Sequence, residues 1–246
     1  MNGKGAASDF DELIVAGTVA NQVHLNNGGN AAVGGGKGNV NLNGGGSAVD
    51  YTAALAPQDY AKILSDYSKT LSQQAQSEGA VVKQDNKYDA SGVAGDTAVF
   101  TLNEAGITAQ RDFGFTFGNV DWIVLNVVAT ETDKDFRMDN VKVQPGYDTA
   151  SRLIWNFIGF ETVTFDGLFQ GTILADGALV KTLAGNIEGS VFAGSFEGHS
   201  ELHYIGLGDL PYEDQPQPAP VPLPAAAPLL LAGLGALAML RRRKAA

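Results

Sequence analysis

Two short apolar runs recur in this chain at a nearly constant spacing, each beside glycine. Val23-His24-Leu25-Asn26-Asn27-Gly28-Gly29 returns 17 residues later as Val40-Asn41-Leu42-Asn43-Gly44-Gly45-Gly46. Gly171-Thr172-Ile173-Leu174-Ala175 returns 18 residues later as Gly189-Ser190-Val191-Phe192-Ala193. Such a period suits the rungs of a β-solenoid, in which each short strand stacks on its copy. Glycine fits the corners because it takes positive φ at little cost. Ordinary hairpins imitate two such pairs, so the spacing alone leaves both open. The 31 glycines follow no Gly-X-Y period, which excludes collagen.

The middle of the chain reads as one helix and then strands. Pro57 suits the first helical position, and Gly79 is a natural stop. Tyr60, Ile63, Leu64, Tyr67 and Leu71 repeat at helical spacing and predict a narrow apolar stripe lying on a sheet. Trp122-Ile123-Val124-Leu125-Asn126-Val127-Val128, Leu153-Ile154-Trp155-Asn156-Phe157 and Thr162-Val163-Thr164-Phe165 read as strands buried on both faces. One face of these strands would fill the interior and the other would lie under the helix. Phe113, Phe115 and Phe117 alternate, share a face and are expected in the core. Residues 129–140, with Glu131, Asp133, Asp135 and Asp139, are expected as a solvated loop. The expected fold is mainly β: a β-solenoid-like (parallel β-helix) domain over 1–210 with one long α-helix alongside.

The C-terminal segment differs from the rest. Residues 211–220 are proline-rich, and no charge occurs from Gln217 to Leu240. Arg241, Arg242, Arg243 and Lys244 follow. A helix needs ~20 residues to cross a ~30 Å hydrocarbon core, so this run predicts a short transmembrane helix. The basic cluster would stay on the cytoplasmic side and the body outside. Residues 1–20 are acidic and carry no export signal, so a signal is expected upstream of Met1.

Residues 221–244 resemble a VPLPA-CTERM sorting signal. The motif Val221, Pro222, Leu223, Pro224, Ala225 is followed by an apolar helix and the basic end Arg241, Arg242, Arg243. This is a variant of the PEP-CTERM signals of Gram-negative bacteria. The resemblance implies export, an initial inner-membrane anchor, and processing by an exosortase-type transpeptidase. The body is similar to the choice-of-anchor A family. The likeness rests on Ala32-Val33-Gly34-Gly35, Tyr60-Ala61-Lys62-Ile63-Leu64-Ser65 and Ile154-Trp155-Asn156-Phe157. It continues through Phe169-Gln170-Gly171-Thr172-Ile173-Leu174-Ala175, Ile187-Glu188-Gly189-Ser190-Val191-Phe192-Ala193 and Glu201-Leu202-His203-Tyr204. That resemblance implies an adhesive domain displayed at the cell surface. It brings no catalytic set, and its helix-on-solenoid pattern looks like that of ice-binding solenoids.

Charge and side-chain chemistry narrow the function. The chain has 16 Lys+Arg against 27 Asp+Glu, a net −11 that opposes nucleic-acid binding. Before residue 211 the balance is −13, so an acidic polymer would need a bridging Ca²⁺. The absence of cysteine removes disulfides, thiolate metal sites and Cys nucleophiles. His199, Glu201 and His203 alternate as a zinc-like set, against a packing or capping role in the last rung. Glu131, Asp133 and Asp135 offer oxygen ligands for Ca²⁺, against a plain charged loop. Gly34-Gly35-Gly36-Lys37-Gly38 lacks the spacing and the hydroxyl of a phosphate loop. Asp176 with Glu188 or Glu197 is the acid pair that a carbohydrate-active β-helix enzyme, a polysaccharide lyase or hydrolase, would need. Thr162 and Thr164 fall short of the regular threonine array of an ice-binding face. The reading is a surface-anchored adhesin or matrix-associated protein without turnover or resident cofactor. Its partners would be the transpeptidase, the membrane, and extracellular polysaccharide or a surface protein.

Overall fold

The computed structural model describes residues 13–25, 29–36, 38–43, 45–49, 60–104, 107, 112–130 and 132–205. The chain is mainly β. Near the start, β1 (Leu13–Val15), β3 (Ala31–Val33) and β5 (Ala48–Val49) form a parallel sheet, and β2 (Val23–Leu25) pairs in parallel with β4 (Val40–Leu42). Val23 lies opposite Val40, the register that the 17-residue repeat predicts. Leu13, Val15, Leu25 and Leu42 pack on buried Ala31, Val33 and Val40.

Helix α1 (Tyr60–Ser72) follows, and then one 12-stranded sheet that curls through the rest of the described chain. It starts with the antiparallel pair β6 (Val81–Lys83) and β7 (Lys87–Asp89). The later strands are β8 (Thr97–Asn103), β9 (Asp112–Thr116), β10 (Trp122–Val128), β11 (Asp135–Val143) and β12 (Leu153–Ile158). They continue as β13 (Thr162–Gln170), β14 (Thr172–Ala184), β15 (Ile187–Gly189), β16 (Val191–Gly198) and β17 (Leu202–Tyr204). The short helix α2 (Tyr147–Arg152) precedes β12.

Among the described residues every strand pairing after β6–β7 is parallel, and the pairings fall into three ladders. The first runs β8, β10, β12, residues 172–175 of β14 and residues 191–193 of β16. The second runs residues 135–138 of β11, residues 162–165 of β13, residues 179–182 of β14 and residues 195–198 of β16. The third runs β7, β9 and the later parts of β11 and β13, then β15 and β17. Strands β11, β13, β14 and β16 each serve two ladders. They bend between them at irregular registers, as at Met138/Val141 and Ala175/Leu179. Ile173 lies opposite Val191, the register of the 18-residue repeat.

One corner shows why glycine repeats. Gly171 (φ 105°) and Gly189 (φ 155°) stack, and a Cβ on Gly189 would lie 2.1 Å from the Gly171 carbonyl oxygen. No side chain fits there, so the two glycines that open the repeated segments are required by close approach of successive backbones.

Alternate residues of each strand point to opposite sides of the sheet. The inner side is a stack of rings. Trp155 lies parallel to Phe157 (centroids 6.4 Å, 7°) and edge-on to Phe113 at 5.4 Å. Phe165 and Phe169 approach to 4.3 Å, and Tyr88 stacks on Phe115 at 5.4 Å. The Trp155 Nε1–H donates to the Gln170 carbonyl at 3.1 Å, so the one polar atom of this ring is satisfied. Phe113 and Phe115 are core residues as expected; Phe117 is half-buried beneath the Arg152 guanidinium, 4.3 Å from its ring centroid.

The outer side of the first ladder carries α1. Tyr67 and Leu71 pack on Val99, Trp122, Val124, Ile154 and Leu174. Burial there pushes the Tyr67 hydroxyl up to about 12. A polar seam fixes the helix. Ser65 Oγ donates to Asp176 at 2.8 Å, and Ser68 Oγ donates to Asn156 Oδ1 at 2.5 Å. Asn126 Nδ2 donates to the Leu71 carbonyl at 2.7 Å. Three residues of helix rise about 4.5 Å and neighbouring strands lie about 4.8 Å apart, so α1 advances one strand per three residues. Ser77 continues the walk to β8, where its N–H donates to the Val99 carbonyl at 2.9 Å.

Three sequence expectations need correction. The helix ends at Ser72, and Gly79 instead sits in a turn pressed against Gly92. Ile63 is exposed (39%), because Ser68 rather than Ile63 completes the buried stripe. Residues 129–140 are not all loop: β11 begins at Asp135, with Phe136 and Met138 buried between its charged neighbours. Pro57 lies outside the described residues, as do 206–246 with the linker, sorting motif and apolar run. Among the described residues no helix is long and apolar enough to cross a membrane.

Candidate functional site

The three ladders differ in what lies on their outer sides. The first is covered by α1. On the third, Gln170 is buried and accepts from the N–H of Gly146, next to α2, at 3.4 Å. The outer side of the second ladder aligns two columns of side chains. One is Arg137, Thr164, Lys181 and Glu197; the other is Asp135, Thr162, Leu179 and Ser195. Two ion pairs lie along this face. Arg137 Nη2 lies 2.7 Å from Asp139 Oδ1, which holds the guanidinium above its usual range. Lys181 Nζ lies 3.4 Å from Glu197. The face is therefore mixed in sign and carries hydrogen-bond donors and acceptors. Thr162 and Thr164 fall in separate columns, so no threonine array forms on it.

The zinc-like set does not converge on a common point. His203 is bracketed by two carboxylates, Glu188 at 2.7 Å from Nδ1 and Glu201 at 3.0 Å from Nε2. Hydrogen bonding to Glu188 is the main cause that raises its pKa, with Glu201 adding to it. His199 instead faces Glu197 at 3.6 Å. His203 thus ties β17 to its neighbour β15 on an exposed surface. Glu188 was not foreseen as its partner, although Ile187-Glu188-Gly189 and Leu202-His203-Tyr204 sit in register and their 15-residue offset was legible.

The acidic set behaves as a capped turn. Asp133 Oδ1 accepts the Asp135 N–H at 3.1 Å, and Thr130 Oγ1 accepts the Asp133 N–H at 3.1 Å. Glu131 lies outside the described residues. Glu104 joins instead: its carboxyl pKa is raised, first by burial and then by Asp133 and Asp135. Among the described residues no group of three His, Asp or Glu side chains has metal-binding geometry.

The acids considered for sugar cleavage each have a different partner. Asp176 accepts from Ser65, Glu188 pairs with His203, and Glu197 pairs with Lys181 and His199. Glu188 lies on the third ladder and Glu197 on the second.

The body is mainly β, with one helix packed on the outer side of a parallel ladder. A family model described as Putative Ice-binding-like adhesive domain matches residues 1–204, and the chain belongs to that family. Membership places the body among adhesive domains, which act by binding at the cell surface or outside the cell. No curated protein and no solved structure matches the chain.

Proposed function

We propose that this protein is an exported adhesin of a Gram-negative cell envelope that binds extracellular polysaccharide or a surface protein without turning it over. The observation that carries this reading is the adhesive-family match across residues 1–204. The polar outer side of the second ladder supports it, because a row of stacked parallel strands suits extended polymers better than small substrates. In this reading the three ladders are the faces of one β-solenoid. Residues 221–244 act as the sorting signal: the apolar helix holds the chain in the inner membrane until an exosortase-type enzyme acts near Val221 to Ala225. A polysaccharide lyase or hydrolase, with Asp176 and Glu188 or Glu197 as its acids, is the alternative that the assay below separates from adhesion.

The net negative body makes Ca²⁺ bridging part of the proposal for any acidic polymer. The test is retention of the purified chain on immobilised alginate, with Ca²⁺ and with excess chelator, together with an assay for reducing ends and unsaturated sugars. Saturable, Ca²⁺-dependent retention without sugar release is expected. Release of product without stable retention contradicts adhesion, and undiminished retention in chelator contradicts the bridging role.

A further inference from the structure

Both ring nitrogens of His203 face carboxylates. Nδ1 lies 2.7 Å from Glu188 Oε1 on the neighbouring strand β15, and Nε2 lies 3.0 Å from Glu201 Oε2, two residues back in its own chain. An ionised carboxylate only accepts, so each contact requires an N–H on the ring. A neutral imidazole has one N–H and one lone pair and can serve only one of the two. The other carboxylate would then face a lone pair. The bracket therefore fits the imidazolium, which donates from both nitrogens. The raised pKa of His203 agrees, with the bond to Glu188 as its main cause.

The strand that carries His203 is thinly held. β17 has three residues and, among the described strands, pairs only with β15. Its Leu202 is 38% exposed, whereas Ile187 opposite it is buried in the main core. Two backbone bonds cross between the segments: the Ile187 N–H donates to the Glu201 carbonyl at 3.1 Å, and the Ile205 N–H donates to the Gly189 carbonyl at 3.3 Å. Ser190 Oγ adds a bond to the Ile205 carbonyl at 3.2 Å. None of these bonds changes with a proton near neutral pH. Charges on the adjoining elements have partners of their own. Glu197 lies 3.4 Å from Lys181 and 3.6 Å from His199, and on α2, which lies against β15, Asp148 lies 3.0 Å from Arg152.

We propose that His203 is a proton-operated fastener: its imidazolium ties β17 to β15, and loss of one proton to solvent loosens β17 from the end of the third ladder. The direction follows from the bracket. A group whose folded pKa is raised holds its contacts fully below the ordinary value of about 6.5, and the hold fades as pH rises through the folded value. The last rung is fastened in acid and loose in alkali. The opening is local, because Ile187 and the strands before it keep their places in the aromatic core. The device stands apart from adhesion, so the outcome of polymer retention has no bearing on it.

The test is hydrogen exchange of the full chain, read as protection factors so that the pH dependence of the chemical rate drops out. The amides of Ile187 and Ile205 report the two bonds that cross between β15 and β17. The Ile173 amide, which donates to the Ser190 carbonyl at 2.9 Å in the first ladder, reports the body. In the unsubstituted chain, protection at Ile187 and Ile205 should fall about five-fold between about pH 5 and about pH 9, the size expected of exposed ion pairs, while Ile173 holds steady. His203→Gln removes the charge and should show the lower protection at both pH values. His203→Arg keeps a cation at both and should show the higher. Protection that does not change with pH in the unsubstituted chain, or an equal fall in His203→Gln, would overturn the proposal.

Discussion

The two sides of the first ladder are built on different principles. The inner side is a stack of aromatic rings with almost no polar atoms, held by apolar burial, which is large but weakly directional. The outer side is a thinner apolar patch crossed by a polar seam, where Ser68, Asn126 and Asn156 bond to one another and to the helix backbone. Asn156 Nδ2 donates both to the Asn126 side chain at 2.9 Å and to the Ser68 carbonyl at 3.0 Å. Asn126 and Asn156 are direct neighbours in the ladder. The difference assigns separate tasks to the two sides. Ring packing supplies stability, and the seam sets where along the ladder the helix rests, because each bond is satisfied at only one three-residue step.

The strongest way to break the inner side is Trp155→Ala. It empties a fully buried site between Phe113, Phe157 and Phe169 and should cost about 3–5 kcal/mol. A calorimetric melt checks it, and a shift no larger than that of a surface variant would refute the assignment of stability to the rings. The seam should yield less. Asn156→Ala strands the Asn126 carbonyl and the Ser68 hydroxyl in a dry place and should cost about 1–3 kcal/mol.

Replacing both amides, Asn126→Val with Asn156→Val, sharpens the comparison. Paired apolar replacement of hydrogen-bonded groups is often nearly neutral, so the melting point should fall less than for Asn156→Ala. Hydrogen exchange across residues 60–72 should nevertheless accelerate, because α1 has lost the bonds that choose its step. Unchanged exchange there would show that packing by Tyr67 and Leu71 alone places the helix.

The smallest expected effect lies at the edge strand β17. The folded His203 pKa is raised above the ordinary value of about 6.5. A group of that kind stabilises the fold fully below its unfolded pKa, and the contribution fades as pH rises through the folded pKa. The melting points of wild type and His203→Gln should therefore differ most at acid pH and converge at alkaline pH. Because His203 is exposed, the gap is expected to be small. A gap that grows with rising pH would reverse the assignment.

Much of this contrast was visible in the sequence, and the missing parts have identifiable causes. The apolar runs at Trp122–Val128 and Leu153–Phe157 read directly as strands buried on both sides. The constant offsets of 17 and 18 residues located Val40 opposite Val23 and Val191 opposite Ile173. The pairing of Ile123 with Leu153 was not legible, because the connection between β10 and β12 carries β11 and α2 and breaks the period. Asn126 and Asn156 looked like interruptions of apolar runs; alternation shows that a residue changes side but not that a helix will cover that side. Phe136 and Met138 were hidden among acids that share their strand. Glu188 and His203 are partners only through the third ladder, whose rungs at residues 187 and 202 are 15 residues apart rather than 17 or 18.

The central functional claim is that the outer side of the second ladder does the binding. The most direct measurement compares wild type with the triple variant Thr162→Lys, Leu179→Lys and Ser195→Lys in Ca²⁺-dependent retention on alginate, with melting points recorded in parallel. The account predicts a changed Ca²⁺ requirement: the introduced cations should retain the chain even in chelator, while the melting point stays within a few degrees. Retention that still depends on Ca²⁺ and has the same strength, in a variant that remains folded, would show that alginate is held elsewhere and would contradict the claim.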